Sequence, residues 1–488
     1  MSAIAFDNTY AKLPSVFHSD QAPTPVQAPS CITVNVELAQ QLGIDPAWLN
    51  SDAGIAMLVG NSIPAGAQPI ATVYAGHQFG GFNPRLGDGR AVLLGEVCNA
   101  QGERFDLQLK GAGPTAYSRG GDGRSPLGPV LREYAISEAM HTLGVPTTRA
   151  LAATMTGELV YREEALPGAV LARVASSHIR VGTFEFFAAS KDPEPLRTLA
   201  DYVIGRHYPQ CADAENPYEA LLLEVIEAQA ALIARWQSLG FIHGVMNTDN
   251  MLICGETVDY GPCAFMDSFN PNQVYSSIDH QGRYAYSNQP GIGHWNLSRL
   301  AQGLVPLLHP DTEKAVPIAQ AAIDTFPERY QSAHAHCMAR KLGLEALNAQ
   351  DNTLIESLWD IMEQEHLDFT LLFRRLTEIA LPTLPGDSVD SLITLPPSMS
   401  PWLERWQARL TNQPPGYVDQ MLHANPAFIP RNHQLEHAIA KGSFEGDLEP
   451  FDRLLQVLEN PFEFRVKDAN FAMPPEPQEV VKQTFCGT

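Results

Sequence analysis

Phe241 to Gly261 reads FIHGVMNTDNMLICGETVDYG, and this stretch decides how the rest of the chain is understood. It holds a His, an Asp-Asn pair and a second Asp, with an apolar run, Met251-Leu252-Ile253, that reads as a short strand. Two oxygen ligands flanking a tight turn can converge on one cation. Mg²⁺ in phosphate-transfer sites takes one or two side-chain oxygens in this way, and phosphates and waters complete its octahedron.

The order of these residues parallels the kinase catalytic loop, H-R-D-x-x-x-x-N, followed by a strand and D-F-G. His243 matches the His, and Asn250 falls seven residues later. Asp259-Tyr260-Gly261 stands where D-F-G is expected. The position of the usual catalytic Asp is Val245, which can neither take a proton nor orient a hydroxyl. Either the site is inactive or Asp249 does that work from a different place. A His-Gly or a D-x-G alone is an ordinary turn; both at this spacing point to a nucleotide site.

Upstream, Phe105 to Lys110 (FDLQLK) alternates as a half-buried strand, with Asp106, Gln108 and Lys110 on the polar side. Lys110 ends that strand just before Gly111-Ala112-Gly113. It is either a solvated strand-end lysine or a phosphate ligand. Gly-Asp-Gly-Arg occurs twice, in Gly87 to Arg90 and within Gly120 to Arg124. Glycine-rich turns let backbone N–H groups point inward as an anion nest, and an adjacent Arg adds a bidentate donor. Two copies flanking a strand-borne lysine favour phosphate contact. Gly128 to Leu143 reads as a helix carrying Glu133 and Glu138. A strand Lys followed by a helix Glu is the kinase ion pair; Glu133 is preferred, with Glu138 as the fallback.

Strands follow near 150–163 and 168–175, and Arg173 sits in an apolar run. A buried guanidinium needs an anion partner. Arg180, seven residues on, could share it; a structural carboxylate for each is the other reading. From Pro195 the pattern is helical, and the amphipathic run Glu219 to Leu239 delivers the chain to His243. Helices are expected at 294–308, 312–342 and 351–380, then a Pro- and Ser-rich break from Pro382 to Pro401 and a looser tail over 402–488.

The chain has 488 residues, 44% of them hydrophobic and 18% charged, an ordinary globular balance long enough for two or three domains. Its net charge of −23 argues against nonspecific binding to nucleic acid or anionic membrane. No apolar run is long enough to span a bilayer and the N-terminus has no secretory pattern, so a cytoplasmic protein is expected. Seven scattered cysteines with no C-x-x-C pair fit reduced thiols and give no zinc pattern.

YAGHQFGGFNPRLGDGR, QLKGAGPTAYSRGGDGRSPLGPVLREY, HGVMNTDNM, DYGPCAFMD and SSIDHQGRYAYSNQP together resemble the selenoprotein O family, over nearly the whole chain. The resemblance implies an α+β, protein-kinase-like bilobal fold. Its parts would be an N-terminal extension at 1–65, a small lobe at 66–190, a helical large lobe at 191–385 and a C-terminal extension at 386–488. It implies ATP bound in a flipped orientation and AMP transferred to hydroxyl side chains of proteins. Mg²⁺ or Mn²⁺ is the implied metal, and UTP a possible second substrate. By position, Asp249 resembles the catalytic base, Asn250 and Asp259 the metal ligands, and Lys110 and Glu133 the retained ion pair. Arg173 and Arg180 resemble the γ-phosphate holders, and Gly87, Gly89, Arg90, Asp122 and Gly123 further nucleotide contacts. A flipped nucleotide would expose the α-phosphate to the acceptor and leave inner arginines to neutralise the departing pyrophosphate. Cys486 matches the family's terminal Cys or selenocysteine position, whereas the position of the cysteine linked to it in some members corresponds here to Tyr275, with Cys263 nearer the Asp. A phosphotransferase and a nucleotide-binding scaffold without turnover are the alternatives.

Overall fold

A computed structural model describes residues 4–190, 192–381, 387–414 and 416–484. Its first half is built on an antiparallel sheet. The strands run in the spatial order His18–Asp20, Ile70–Thr72, Ala91–Cys98, Arg104–Lys110, Ala165–Ala175, Arg149–Tyr161 and Ser30–Val34, with Ser125–Pro126 paired to the Ala165–Ala175 strand. The N-terminal segment therefore supplies both outer strands of this sheet, and its helices Val36–Gln41 and Asp52–Leu58 cover one face. That face is apolar: Val92, Leu94, Leu107, Leu109, Val170 and Ala172 pack with Leu38, Leu42, Leu49 and Leu58.

The opposite face carries the charged groups. Arg173 pairs across the ladder with Gln108, and Leu171 with Lys110. Directly opposed residues share a face, so Lys110, Gln108 and Arg173 project together. The expected half-buried strand is corrected on this point. Gln108 and Asp106 are buried, because this side of the sheet meets the rest of the molecule instead of solvent. The helix Leu127–Thr142 lies against the strands Arg149–Tyr161 and Ala165–Ala175 and brings Glu133 to this face.

The second half is helical. Pro217–Leu239 is its central helix, packed against Gln289–Leu308 and Phe326–Lys341. It ends at Gly240, whose φ of +69° gives a left-handed cap that only glycine adopts at no cost. The chain leaves that cap into Phe241–Ile242, which pairs with Ala264–Phe265. The strand expected at Met251-Leu252-Ile253 does not form a ladder. It makes a single bridge, Leu252 to Arg180, because its partner turns into the helix Val181–Ala188 immediately afterwards.

The looser tail expected over 402–488 is also corrected. Ser400–Leu410 buries Trp402 and Trp406, whose indole N–H groups donate to Leu354 O and Leu342 O at 2.8 and 3.0 Å. Asn432–Ala440 and Glu449–Leu458 pack on the Leu127–Thr142 helix. The chain then returns to the segment after Gly261. Thr484 N donates to Tyr275 O at 2.8 Å, and its hydroxyl donates to Pro262 O at 2.6 Å. Cys486 lies outside the described residues. The six described cysteines are free thiols. No described helix is long and apolar enough to cross a membrane.

Candidate active site

Lys110, Glu133, Arg173, Arg180 and Asp259 meet in one buried cluster. Lys110 Nζ donates to Glu133 Oε2 at 2.5 Å and to Asp259 Oδ1 at 2.7 Å. Arg173 donates to Glu133 Oε1 at 2.9 Å, to Asp259 Oδ1 at 2.7 Å and to Gln108 Oε1 at 2.6 Å. Arg180 donates to Asp259 Oδ2 at 2.6 Å and to the carbonyl oxygen of Asp249, and its guanidinium lies 4.9 Å from the Tyr74 ring centroid. The fallback is thereby resolved: Glu138 does not reach Lys110 and instead takes Arg149 at 2.7 Å.

Three cations and two carboxylates leave this cluster with a net positive charge in a low-dielectric setting. Burial alone would push the Asp259 carboxyl up, but Lys110, Arg180 and Arg173 outweigh it and hold it well below the usual range. The three neighbouring cations thus favour the ionised form of Asp259. Its backbone sits at φ +64°, in the left-handed region that Asp tolerates better than most residues. His243 fixes that turn: its ring pairs with Val258 O at 2.9 Å, and burial pushes its pKa down.

Asp249 behaves differently. Its Oδ2 accepts from Gln78 Nε2 at 3.0 Å, while its Oδ1 is buried with no partner among the described residues. Burial pushes its pKa up to about 6, against smaller opposing contributions from Gln78 and Arg180. Burial and neighbouring charge thus push the two carboxyls in opposite directions, Asp259 down and Asp249 up.

A hairpin of Gly76–Gln78 and Gly81–Asn83 lies on the loop that carries Asp249. His77 N donates to Thr248 Oγ1 at 2.7 Å and Phe79 N to Asn247 Oδ1 at 3.1 Å. Glu185 joins the two sides, bonding His77 Nδ1 at 2.5 Å and accepting from the Thr248 hydroxyl. Phe79 and Gly80 both have positive φ, +51° and +83°, as a tight hairpin turn demands. For Phe this conformation is strained, and the bond to Asn247 with the Tyr284 ring at 5.1 Å holds it in place. A Cβ at Gly76 would overlap the Asp249 carboxylate and push it aside.

The two Gly-Asp-Gly-Arg copies stand on either side of the turn that follows Lys110. Arg90 O accepts from Gly111 N at 2.7 Å and from Ala112 N at 3.3 Å, and Gly123 O accepts from Gly113 N at 3.0 Å. Gly87 lies against Tyr117, Gly89 O accepts from the Ser118 hydroxyl, and Gly123 packs on the Gly113 backbone. Asp122 is the outlier. It points to the surface and is held by Arg162 at 2.8 and 3.0 Å.

Asn250 donates its amide to Val245 O at 3.0 Å, which orients its own carbonyl oxygen away from that bond. Asn250 and Asp259 carry hard oxygens of the kind Mg²⁺ or Mn²⁺ takes, although both Asp259 oxygens here accept from Lys110, Arg173 and Arg180. Among the described residues no group of three or more His, Cys, Asp or Glu could hold a metal alone. A cation here would need phosphate oxygens and waters to complete its shell.

A family model described as protein adenylyltransferase SelO matches residues 1–459. The chain belongs to the SelO family. It is 56% identical to the protein nucleotidyltransferase YdiU of Rhizobium meliloti, over 100% of both chains. It is 55% identical to that of Rhizobium etli, over 100% of this chain and 98% of the relative, and 55% identical to one from Rhodopseudomonas palustris, over 99% of each. As a member of the SelO family the chain is a nucleotidyltransferase.

Gln78, Gln108, Glu185, Asn247, Thr248 and Tyr284 hydrogen-bond to or around the clustered residues, and the sequence did not single them out. Gln108 had a usable signal, since it lies two residues before Lys110 on the same side of one strand. His77 and Gln78 had none, because nothing in a glycine-rich hairpin tells which loop it will cover.

Proposed function

We propose that this SelO-family chain transfers AMP from ATP to Ser, Thr or Tyr hydroxyls of proteins, in a protein-kinase-like bilobal frame. Residues 66–190 would form the small lobe and 191–385 the large lobe. The observation that carries this reading is geometric: Arg180 donates to the backbone carbonyl of Asp249 and to the Asp259 carboxylate, so the residue with the unpaired acid adjoins the cation cluster.

Asp249 Oδ1 is the atom that takes the acceptor proton, while Gln78 holds Oδ2 and fixes the direction of attack. Lys110, Arg173 and Arg180 bind the β- and γ-phosphates, and stabilise the charge that grows on pyrophosphate as the bond to the α-phosphorus breaks. Preorganised donors of this kind contribute about 2.7–4 kcal/mol each. Glu133 keeps Lys110 and Arg173 in place when phosphate displaces them from Asp259. Gly87, Gly89, Arg90 and Gly123 shape the nest for the remaining phosphate and sugar contacts, and the surface-facing Asp122 acts only through Arg162. Asn250 and Asp259 would hold Mg²⁺ or Mn²⁺, which supplies charge neutralisation between the phosphates.

Incubation with α-labelled ATP and a protein acceptor tests this. Label on protein that requires Asp249 supports it; label from the γ-position instead would point to a kinase.

A further inference from the structure

Two half-buried arginines near the hairpin over Asp249 have no carboxylate partner among the described residues. Arg283 lies 4.8 Å from the Trp295 ring centroid and Arg299 5.1 Å from it. Among the described residues neither guanidinium has a carboxylate within ion-pair distance, and the Nε of each is buried without a hydrogen bond. Asp279 accepts from the backbone N–H of Arg283, so it positions the residue without neutralising its side chain. In a chain with 55 acidic and 32 basic residues, two arginines stacked on one Trp ring with no carboxylate partner among the described residues make a local basic patch.

Their surroundings lead to the reacting acid. His77 stacks edge-on to Trp295 at 5.3 Å and lies 4.9 Å from Phe82. Phe82 is 45% exposed and Phe79 36% exposed, both on the hairpin whose Gln78 holds Asp249. Gly80 at the hairpin tip lies next to the Arg283 guanidinium. Tyr284 closes the path, donating to Asn247 two residues before Asp249.

We propose that Phe79, Phe82, Trp295, Arg283 and Arg299 form the docking face for the acceptor polypeptide, and that it selects a segment with acidic side chains around an apolar residue and the reacting hydroxyl. Exposed aromatic rings give such a segment contact area, and arginines already stacked on Trp lose little freedom on pairing. The occupant is acidic by charge complementarity. This inference rests on the transfer reading for which hydroxyl is modified, but the docking itself does not.

The test is binding, read by fluorescence anisotropy on the full chain, of a fluorescein-labelled peptide Gly-Glu-Glu-Phe-Ser-Glu-Glu-Gly and its Lys-for-Glu and Gln-for-Glu counterparts. The acidic peptide binds the wild type about tenfold or more tighter than the other two, and the preference shrinks with added salt. Arg283→Glu with Arg299→Glu removes that preference and leaves ATP affinity unchanged. Equal binding of the three peptides by the wild type overturns the proposal, and needs no variant to fold. Equal affinity for a single-stranded oligothymidylate of matched charge also overturns it, in favour of a general anion shelf. Arginine-dependent binding without α-label transfer keeps the docking face and removes the transfer reading; transfer that ignores peptide charge does the reverse.

Discussion

Arg180 donates to Asp259 Oδ2 at 2.6 Å, and Asp259 is its one carboxylate partner among the described residues. Lys110 and Arg173 can fall back on Glu133, but Arg180 cannot. Asp259 thus holds the cations that the transfer reading gives to phosphate.

Asp259→Ala should therefore do two separable things. It abolishes transfer, and it destabilises the chain by about 3–5 kcal/mol because Arg180 is left buried and unpaired. Inorganic tripolyphosphate should raise the thermal midpoint of the variant more than that of the wild type. Equal shifts in the two proteins would mean that these cations are not the phosphate ligands.

Asp249→Asn should lose transfer and gain stability. Burial pushes the Asp249 pKa up to about 6 from an ordinary 3.8, so ionising it in the folded chain is unfavourable. A folded pKa raised above the unfolded one means that the native state holds the proton between those values. The cost is complete above pH 6, about 3 kcal/mol, and vanishes below the unfolded pKa. Denaturant unfolding in metal-free buffer should show the variant more stable at pH 7.5, with the gap closed near pH 3.5. A pH-independent gap would contradict this electrostatic origin.

Gly76→Ala adds a Cβ that runs into the Asp249 carboxylate, at a position whose backbone any residue could adopt. Displacing a reacting group by about 1 Å costs on the order of a hundredfold. The turnover number should fall by that order with ATP affinity within about twofold. Loss of ATP affinity instead would place the hairpin on the nucleotide side.

Lys341 is buried with its Nζ 4.0 Å from the Phe373 ring centroid, and burial pushes its pKa down to about 7 against a smaller opposing contribution from Cys337. Its folded pKa lies below the unfolded value of 10.5, so the destabilisation is complete below pH 7 and fades as the pH rises towards that value. Lys341→Met should stabilise the chain by about 1–4 kcal/mol at pH 6 and by less at pH 10. Thermal or urea unfolding at the two pH values checks the sign.

Much of this site was legible in the sequence because local patterns carry it. Alternation placed Lys110 on a strand end, helix spacing offered Glu133, and an arginine in an apolar run announced a buried anion. The strand expected at Met251 to Ile253 failed because β-propensity says nothing about whether a partner remains extended, and Arg180 leads straight into a helix. The tail after 402 read as loose because its helices are short and proline-punctuated. Their burial comes from Trp402, Trp406 and Phe451 meeting elements far away in the chain. The hairpin over Asp249 was invisible for the same reason: its contacts to Asn247, Thr248 and Asp249 span some 170 residues of sequence, from 168 for Phe79 to Asn247 up to 171.

The central claim is that the α-phosphate is the one attacked. The direct measurement pairs the wild type and Asp259→Ala with α-labelled and, separately, γ-labelled ATP, in Mg²⁺ or Mn²⁺ and with a protein acceptor present. Label should reach protein from the α-position alone and only with the wild type. Label arriving from the γ-position would contradict the account and make the chain a phosphotransferase.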